Sequence, residues 1–149
     1  MTSSVNSRAT SFGVPSLPRL RVVTRARGMH PAMAAPAPLA DVAGPWDHVW
    51  ARGETSMVGA GELLRLNARG DDRIDALASA WRELCSAATV DDAVVASGTG
   101  LTAFSSVAFS RASGRDSVLI VPRVVWGRNG DLSWICLLYT SPSPRDATL

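Results

Sequence analysis

Residues 117–128 (SVLIVPRVVWGR) form a run dense in β-branched side chains, which favour a pleated strand over a helix. The run ends on Asn129-Gly130, the dipeptide preferred in two-residue type I′ hairpin loops. Such a loop sets a register in which Arg128 faces Asp131, Val125 faces Trp134 and Val124 faces Ile135. Opposite charges at the turn and apolar pairs farther out are what a stable antiparallel ladder requires. Pro122 lacks the N–H that a central strand position needs, so it marks a bulge or an edge. A chain holding this hairpin has to build an antiparallel sheet and cover its apolar face.

Residues 72–88 supply a cover. Ile74, Leu77, Ala78, Trp81, Leu84, Cys85 and Ala88 recur at spacings of three and four, and predict one apolar stripe of an amphipathic helix. Arg73, Asp75, Ser79, Arg82 and Glu83 take the other face, while Gly70 and Asp71 provide a stop and a cap. Residues 19–25 (RLRVVTR) alternate and predict a first strand. Residues 28–45 hold four of the nine prolines and read as a linker or irregular covering segment. Residues 48–52 predict a short strand ending in a Gly53-Glu54 turn. Residues 57–67 (MVGAGELLRLN) read as one strand, because Gly59 and Gly61 each cost a helix about 1 kcal/mol. A bulge or a close backbone approach is expected near those glycines. Further strands are expected at 93–96 and 102–109, around a Ser97-Gly98-Thr99-Gly100 turn. The pattern predicts an α+β fold of antiparallel strands with one long amphipathic helix.

Composition narrows the chemistry. The chain has 149 residues, and all 15 of its basic side chains are arginine. With no lysine, a lysine base, a Schiff base and a P-loop lysine are excluded for this chain. Histidine is limited to His30 and His48. The charge is uneven: residues 1–40 carry five arginines and no acid, and the remainder carries ten arginines against thirteen acids. The net +2 therefore describes a basic leader on a mildly acidic body. A nucleic-acid face needs clustered basic residues with aromatics between them, which the body's sequence lacks, so no nucleic-acid partner is expected. Residues 1–18 have the serine- and arginine-rich composition of a transit peptide, but read better as a disordered extension of the kind a GC-rich coding sequence yields. Residues 93–110 are uncharged yet too polar for a membrane span, so no membrane partner is expected.

No residue is assigned a catalytic, cofactor-binding or metal-ligating role. Gly98-Thr99-Gly100 and Val58-Gly59-Ala60-Gly61 do not complete a dinucleotide-binding motif or open a helix, and read as turn and strand glycines. His48 beside Asp47 reads as an ordinary strand histidine without a nucleophile partner. Cys85 is expected on the buried helix stripe as a small hydrophobe. Cys136 is the only other cysteine; the two lack metal-site spacing and fit a reducing cytoplasm. Asp71-Asp72 and Asp91-Asp92 flank element ends, where caps and solvated turns are the default.

Three stretches carry a family resemblance: residues 57–62 (MVGAGE), 98–109 (GTGLTAFSSVAF), and 119–122 (LIVP) running into 126–130 (WGRNG). With the Trp81-bearing helix between them, they resemble the N-terminal portion of bacterial isochorismate synthases, over roughly residues 19–135. These are chorismate-utilising enzymes, alongside anthranilate, aminodeoxychorismate and salicylate synthases. The resemblance implies an incomplete part of a large α+β fold. It implies a complete enzyme more than twice this length, binding chorismate with Mg²⁺ and forming isochorismate for menaquinone or siderophore synthesis. In that family a lysine activates the water, a glutamate protonates the leaving hydroxyl, and further glutamates hold the metal. This chain has no lysine, and Glu54, Glu62 and Glu83 lie outside those motifs. No family catalytic residue therefore maps onto it, and no cofactor is expected for this chain alone.

Residues 136–146 (CLLYTSPSPRD) are expected to break the strand pattern. They are similar, residue for residue, to the translation of a transposase adapter used in preparing sequencing libraries. The resulting expectation is a leader at 1–18, an enzyme-derived part at 19–135 and an adapter-derived tail at 136–149. One face of the Trp81 helix is then expected to lack a partner. The alternatives are a small non-catalytic α+β binding module and a fragment of another chorismate-utilising enzyme.

Overall fold

The computed structural model describes residues 16–27, 44 and 47–141. The leader up to residue 15, nearly all of the expected linker and residues 142–149 lie outside the described residues. The described chain is mixed α+β: strands β1 (Leu20–Arg27), β2 (His48–Arg52), β3 (Thr55–Ala60) and β4 (Leu64–Ala68), helix α1 (Arg73–Ala87), then β5 (Thr89–Asp92), β6 (Phe104–Ser106), β7 (Ser117–Val121), β8 (Val124–Asn129) and β9 (Leu132–Thr140). One sheet has the order β2-β3-β8-β9-β1-β5 and the other β4-β7-β6. All pairings are antiparallel except that of β1 with β5.

The expected single strand at 57–67 is two strands in two sheets, and the run at 117–128 likewise divides between β7 and β8. The two halves still pair throughout: β3 with β8 from Thr55↔Asn129 to Ala60↔Val124, and β4 with β7 from Leu64↔Val121 to Ala68↔Ser117. Between these ladders, residues 61–63 oppose only 122–123. That mismatch is a β-bulge, and it turns the ribbon from one sheet into the other. Gly61 takes φ +69, a conformation glycine adopts without strain. Leu63 N–H donates to Val121 O at 2.8 Å and Arg123 N–H to Ala60 O at 3.0 Å, so the corner keeps its backbone bonds. Gly59 answers the other half of the expectation. A Cβ there would lie 2.5 Å from Phe104 Cε2 and 3.1 Å from Pro122 Cγ, so its bareness admits the Phe104 ring.

The β8–β9 hairpin is offset from the expected register. Its loop is Gly130-Asp131, with Asn129↔Leu132 closing the ladder, so Arg128 faces Ser133, Val125 faces Cys136, Val124 faces Leu137 and Trp134 faces Gly127. The two-residue slip leaves every side chain on its expected face. What it changes is the partner of Trp134, whose indole lies across Gly127 where any Cβ would sit 2.0 Å from Cε2. Gly130, at φ +55, occupies the first loop position, where a type II′ turn places glycine. The alternation also continues past Ile135. Cys136 and Leu138 extend the buried parity of Trp134, and β9 pairs with β1 from Arg27↔Ser133 to Leu20↔Thr140. The expected break at Cys136 is therefore absent, because inward and outward residues keep alternating from Trp134 to Tyr139 and the pairing with β1 runs to Thr140.

Two other expected strands differ. Residues 93–96 are a loop, and the strand is the preceding Thr89–Asp92. The expected strand at 102–109 shortens to Phe104–Ser106.

Helix α1 buries a narrower face than its stripe suggests. Leu77 and Leu84 enter the core against Leu119, Val121, Val22 and Leu138, with Trp81 and Ala88 partly buried beside them. Ile74 is 53% exposed and Cys85 is exposed, which corrects their expected burial. Arg73, expected on the solvent face, is instead buried. Its guanidinium donates to Ala108 O at 3.0 and 2.9 Å, to Phe109 O at 3.2 Å and to Gly70 O at 3.0 Å. A cation at a helix N-terminus is opposed by the macrodipole by about 0.3–1 kcal/mol, less than one charged hydrogen bond of about 1.5–3 kcal/mol supplies. The N-cap position is Asp72 rather than Asp71, and its side chain makes no capping bond.

Substituting Gly127→Ala forces a methyl into the Trp134 ring. Urea unfolding is expected to show a loss of about 1–3 kcal/mol, the usual effect of overpacking. A change within about 0.5 kcal/mol would contradict this packing.

Candidate functional site

The bent ribbon leaves an open groove between edge strand β2 and the β6–β7 pair. Its volume is about 290 Å³, and Asp47, His48, Val49, Phe104, Ser105, Ser106, Val118 and Ile120 line it. That lies at the lower limit of small-molecule sites, which run from about 300 Å³ upward. Ile120 and Val118 are held there by the β6–β7 register, Phe104↔Ile120 and Ser106↔Val118. The Phe104 ring packs against the His48 imidazole, centroids 5.6 Å apart and planes 31° apart. Gly59 pairs with His48 across β2–β3, so its missing side chain makes room for that ring contact.

Four polar side chains reach the groove, but they do not form a nucleophile and base. The Asp47 carboxylate accepts from Gly44 N–H at 2.7 Å and closes its own local turn. Among the described residues, no hydrogen bond joins His48 to Ser105 or Ser106, the link that an activated serine requires. The arrangement offers an apolar floor with hydroxyl and imidazole groups at the rim.

A second polar cluster lies at the end of β5, at the Asp91-Asp92 pair expected to act as a cap or a solvated turn. Asp91 does pair with solvent-facing Arg25, at 2.7 Å, and that contact holds its carboxyl below the usual range. Asp92 behaves differently. One of its oxygens accepts from Val94 N–H at 2.9 Å and Val95 N–H at 3.0 Å, and the other accepts from the Thr99 hydroxyl. Burial alone would raise its pKa; the Thr99 hydroxyl and the two backbone donors outweigh it and bring the pKa below the ordinary value. These bonds also stop β5, which is why no strand forms at 93–96. The Ser97–Gly100 segment is the expected turn, with Thr99 N–H donating to Ala96 O at 3.2 Å and both glycines at positive φ. Gly100 N–H donates to the buried Thr24 hydroxyl at 3.3 Å, which in turn contacts Cys136 Sγ at 3.1 Å. The legible signal was Asp92 two residues before Val94 and ahead of two glycines, a spacing suited to an aspartate-capped turn.

The remaining residues weighed from sequence do not converge. Cys85 and Cys136 both have thiol pKa values raised by burial, the opposite of an activated thiolate. Asp71 lies 3.7 Å from Arg111, and Glu62 pairs with Arg65 at 2.8 Å. Among the described residues, no three of His, Cys, Asp and Glu gather closely enough to hold a metal ion. No helix among them is long and apolar enough to cross a membrane. No protein-family model matches the chain, and no curated protein or solved structure matches it.

The Asp92 network has a defined pH signature. Because its folded pKa lies below the unfolded one, its stabilisation is complete above the ordinary carboxylate range and is lost as pH falls through the lowered value. Asp92→Asn keeps an oxygen for Val94 and Val95 but removes the charge. Urea titrations between about pH 5 and pH 2 are expected to show a shallower acid loss for this variant than for the parent. Parallel curves would contradict the assignment.

Proposed function

We propose that the chain is the N-terminal portion of an isochorismate synthase, a cytoplasmic chorismate-utilising enzyme, and is inactive alone. What supports the reading is the meeting of its three resembling stretches at one point. Gly59 of the first admits Phe104 of the second and touches Pro122 of the third, with the Cβ distances of 2.5 and 3.1 Å given above. Their contact makes the three stretches one packed unit, and the reading itself rests on their sequence resemblance.

The reaction class requires water added at C2 of chorismate and the C4 hydroxyl expelled, with a base for the water and an acid for the leaving group. The chain has no lysine to act as that base. Its described carboxylates do not fit the Mg²⁺ that the family uses, since none converge, and no step is assigned to them. In this reading the chemistry belongs to a chorismate-binding half outside these residues, although β9 continues past Ile135 to Thr140, and the present residues contribute the sheet and helix it packs on. The groove beside His48 favours one second reading, a small non-catalytic binding module.

A genomic read across the codons for Ile135 and Cys136 separates the two. The expected outcome is an in-frame continuation that carries the missing lysine and glutamates. The protein made from it should convert chorismate in the presence of Mg²⁺, while residues 1–149 alone should not. An uninterrupted genomic match through residue 149 followed by a stop would overturn the proposal.

A further inference from the structure

Val95 has φ +54, the left-handed region that β-branched residues almost never occupy. Strain of this kind persists only where its surroundings enforce it. Packing does not enforce it here, because the Val95 side chain is 82% exposed. What holds the backbone is the Asp92 carboxylate, through Val94 N–H and Val95 N–H, with the Thr99 hydroxyl tying the far side of the loop to the same group. Ala96 N–H donates to that hydroxyl at 3.1 Å, so both limbs of the loop end on one side chain.

The loop lies on Trp134. A Cβ on Gly98 would meet Trp134 Cζ2 at 3.2 Å and Met57 Sδ at 3.0 Å, so the Gly98 backbone rests directly on the indole. Trp134 is 1% exposed, flattened between Gly127 on the sheet and Gly98 on the loop. Its Nε1–H is nevertheless buried without a hydrogen-bond partner. Buried donors are rarely left unpaired, and each exception calls for an explanation. The loop that packs on the same ring, at Cζ2, is itself strained at Val95.

We propose that residues 93–100 are a strap latched by Asp92 over Trp134, and that releasing the latch uncovers the indole N–H as a donor for an oxygen acceptor. Opening relieves two unfavourable features together: Val95 leaves the left-handed region and Trp134 Nε1 gains access to a partner. It also frees the Thr24 hydroxyl from Gly100 N–H. The acceptor class follows from the indole, which can donate but cannot accept. The strap is held closed by the Asp92 carboxylate through three donors, Val94 N–H, Val95 N–H and the Thr99 hydroxyl, and a short segment held by a few such bonds opens well below the global unfolding free energy.

Hydroxyl-radical footprinting of the full chain, read by mass spectrometry, tests this at each tryptophan. In the parent, Trp134 is expected to oxidise about tenfold more slowly than half-exposed Trp50. Asp92→Ala removes the latch, and Thr99→Val removes only its hydroxyl arm. Both are expected to raise Trp134 oxidation by about threefold or more, together with faster amide exchange over 93–100 and unchanged exchange in β1. Unchanged Trp134 oxidation in both variants would overturn the proposal. So would a rise that appears only with equal loss of protection in β1, since that is global unfolding.

Discussion

The fold depends on three residues facing two. Along β7 and β8, residues 117, 119, 121, 125 and 127 keep one parity toward the core. Along the paired strands the inward set changes from Met57 and Gly59 to Leu64, Leu66 and Ala68, from odd to even. Only an inserted residue can make that change in a structure of period two. Gly61, at φ +69, marks the bulge that supplies it. Without the insertion, either Met57 or Leu64 would face away from the cluster of Leu77, Leu84, Leu119 and Val125, and the two sheets could not share one interior.

Glycines and aromatics occur in pairs, one at the corner and one across the β8–β9 ladder. A ribbon turning between sheets brings backbone close to backbone, and bare positions are where rings can enter. Phe104 enters over Gly59 and Trp134 over Gly127, each where a methyl group would overlap the ring. The groove beside His48 follows from the first pairing and the covered indole from the second. Neither feature is built by the side chain that would attract notice in the sequence. Each is built by a side chain that is missing.

That dependence fixes what could be read from sequence. Strand type was legible wherever β-branched residues alternated, as in residues 19–25 and 117–128, because parity is local. Residues 57–67 gave an ambiguous pattern because the alternation really does reverse within them, and a reversal looks the same as an absent pattern. The hairpin register was misplaced for a tertiary reason: turn propensity favoured Asn129-Gly130, but the indole needs Gly127 opposite it. Arg73 was hidden because its partners, the carbonyls of Ala108 and Phe109, lie far along the chain and carry no side-chain signature. The groove was partly legible through Gly59, which signalled a close approach without naming Phe104.

The kind of residue that carries a resemblance limits what it can imply. The stretches at Gly59, Phe104 and Pro122 are selected by space: a bare backbone, a ring that fills it and a ring that cannot donate. Such constraints come from packing and apply to any chain that retains the corner. They are therefore informative about architecture and silent about which hydroxyl leaves or which nucleophile attacks, because those choices require titratable groups at defined distances. Among the described residues, Asp91 is engaged with Arg25, Glu62 with Arg65 and Asp92 within its own turn, and arginine cannot act as a base.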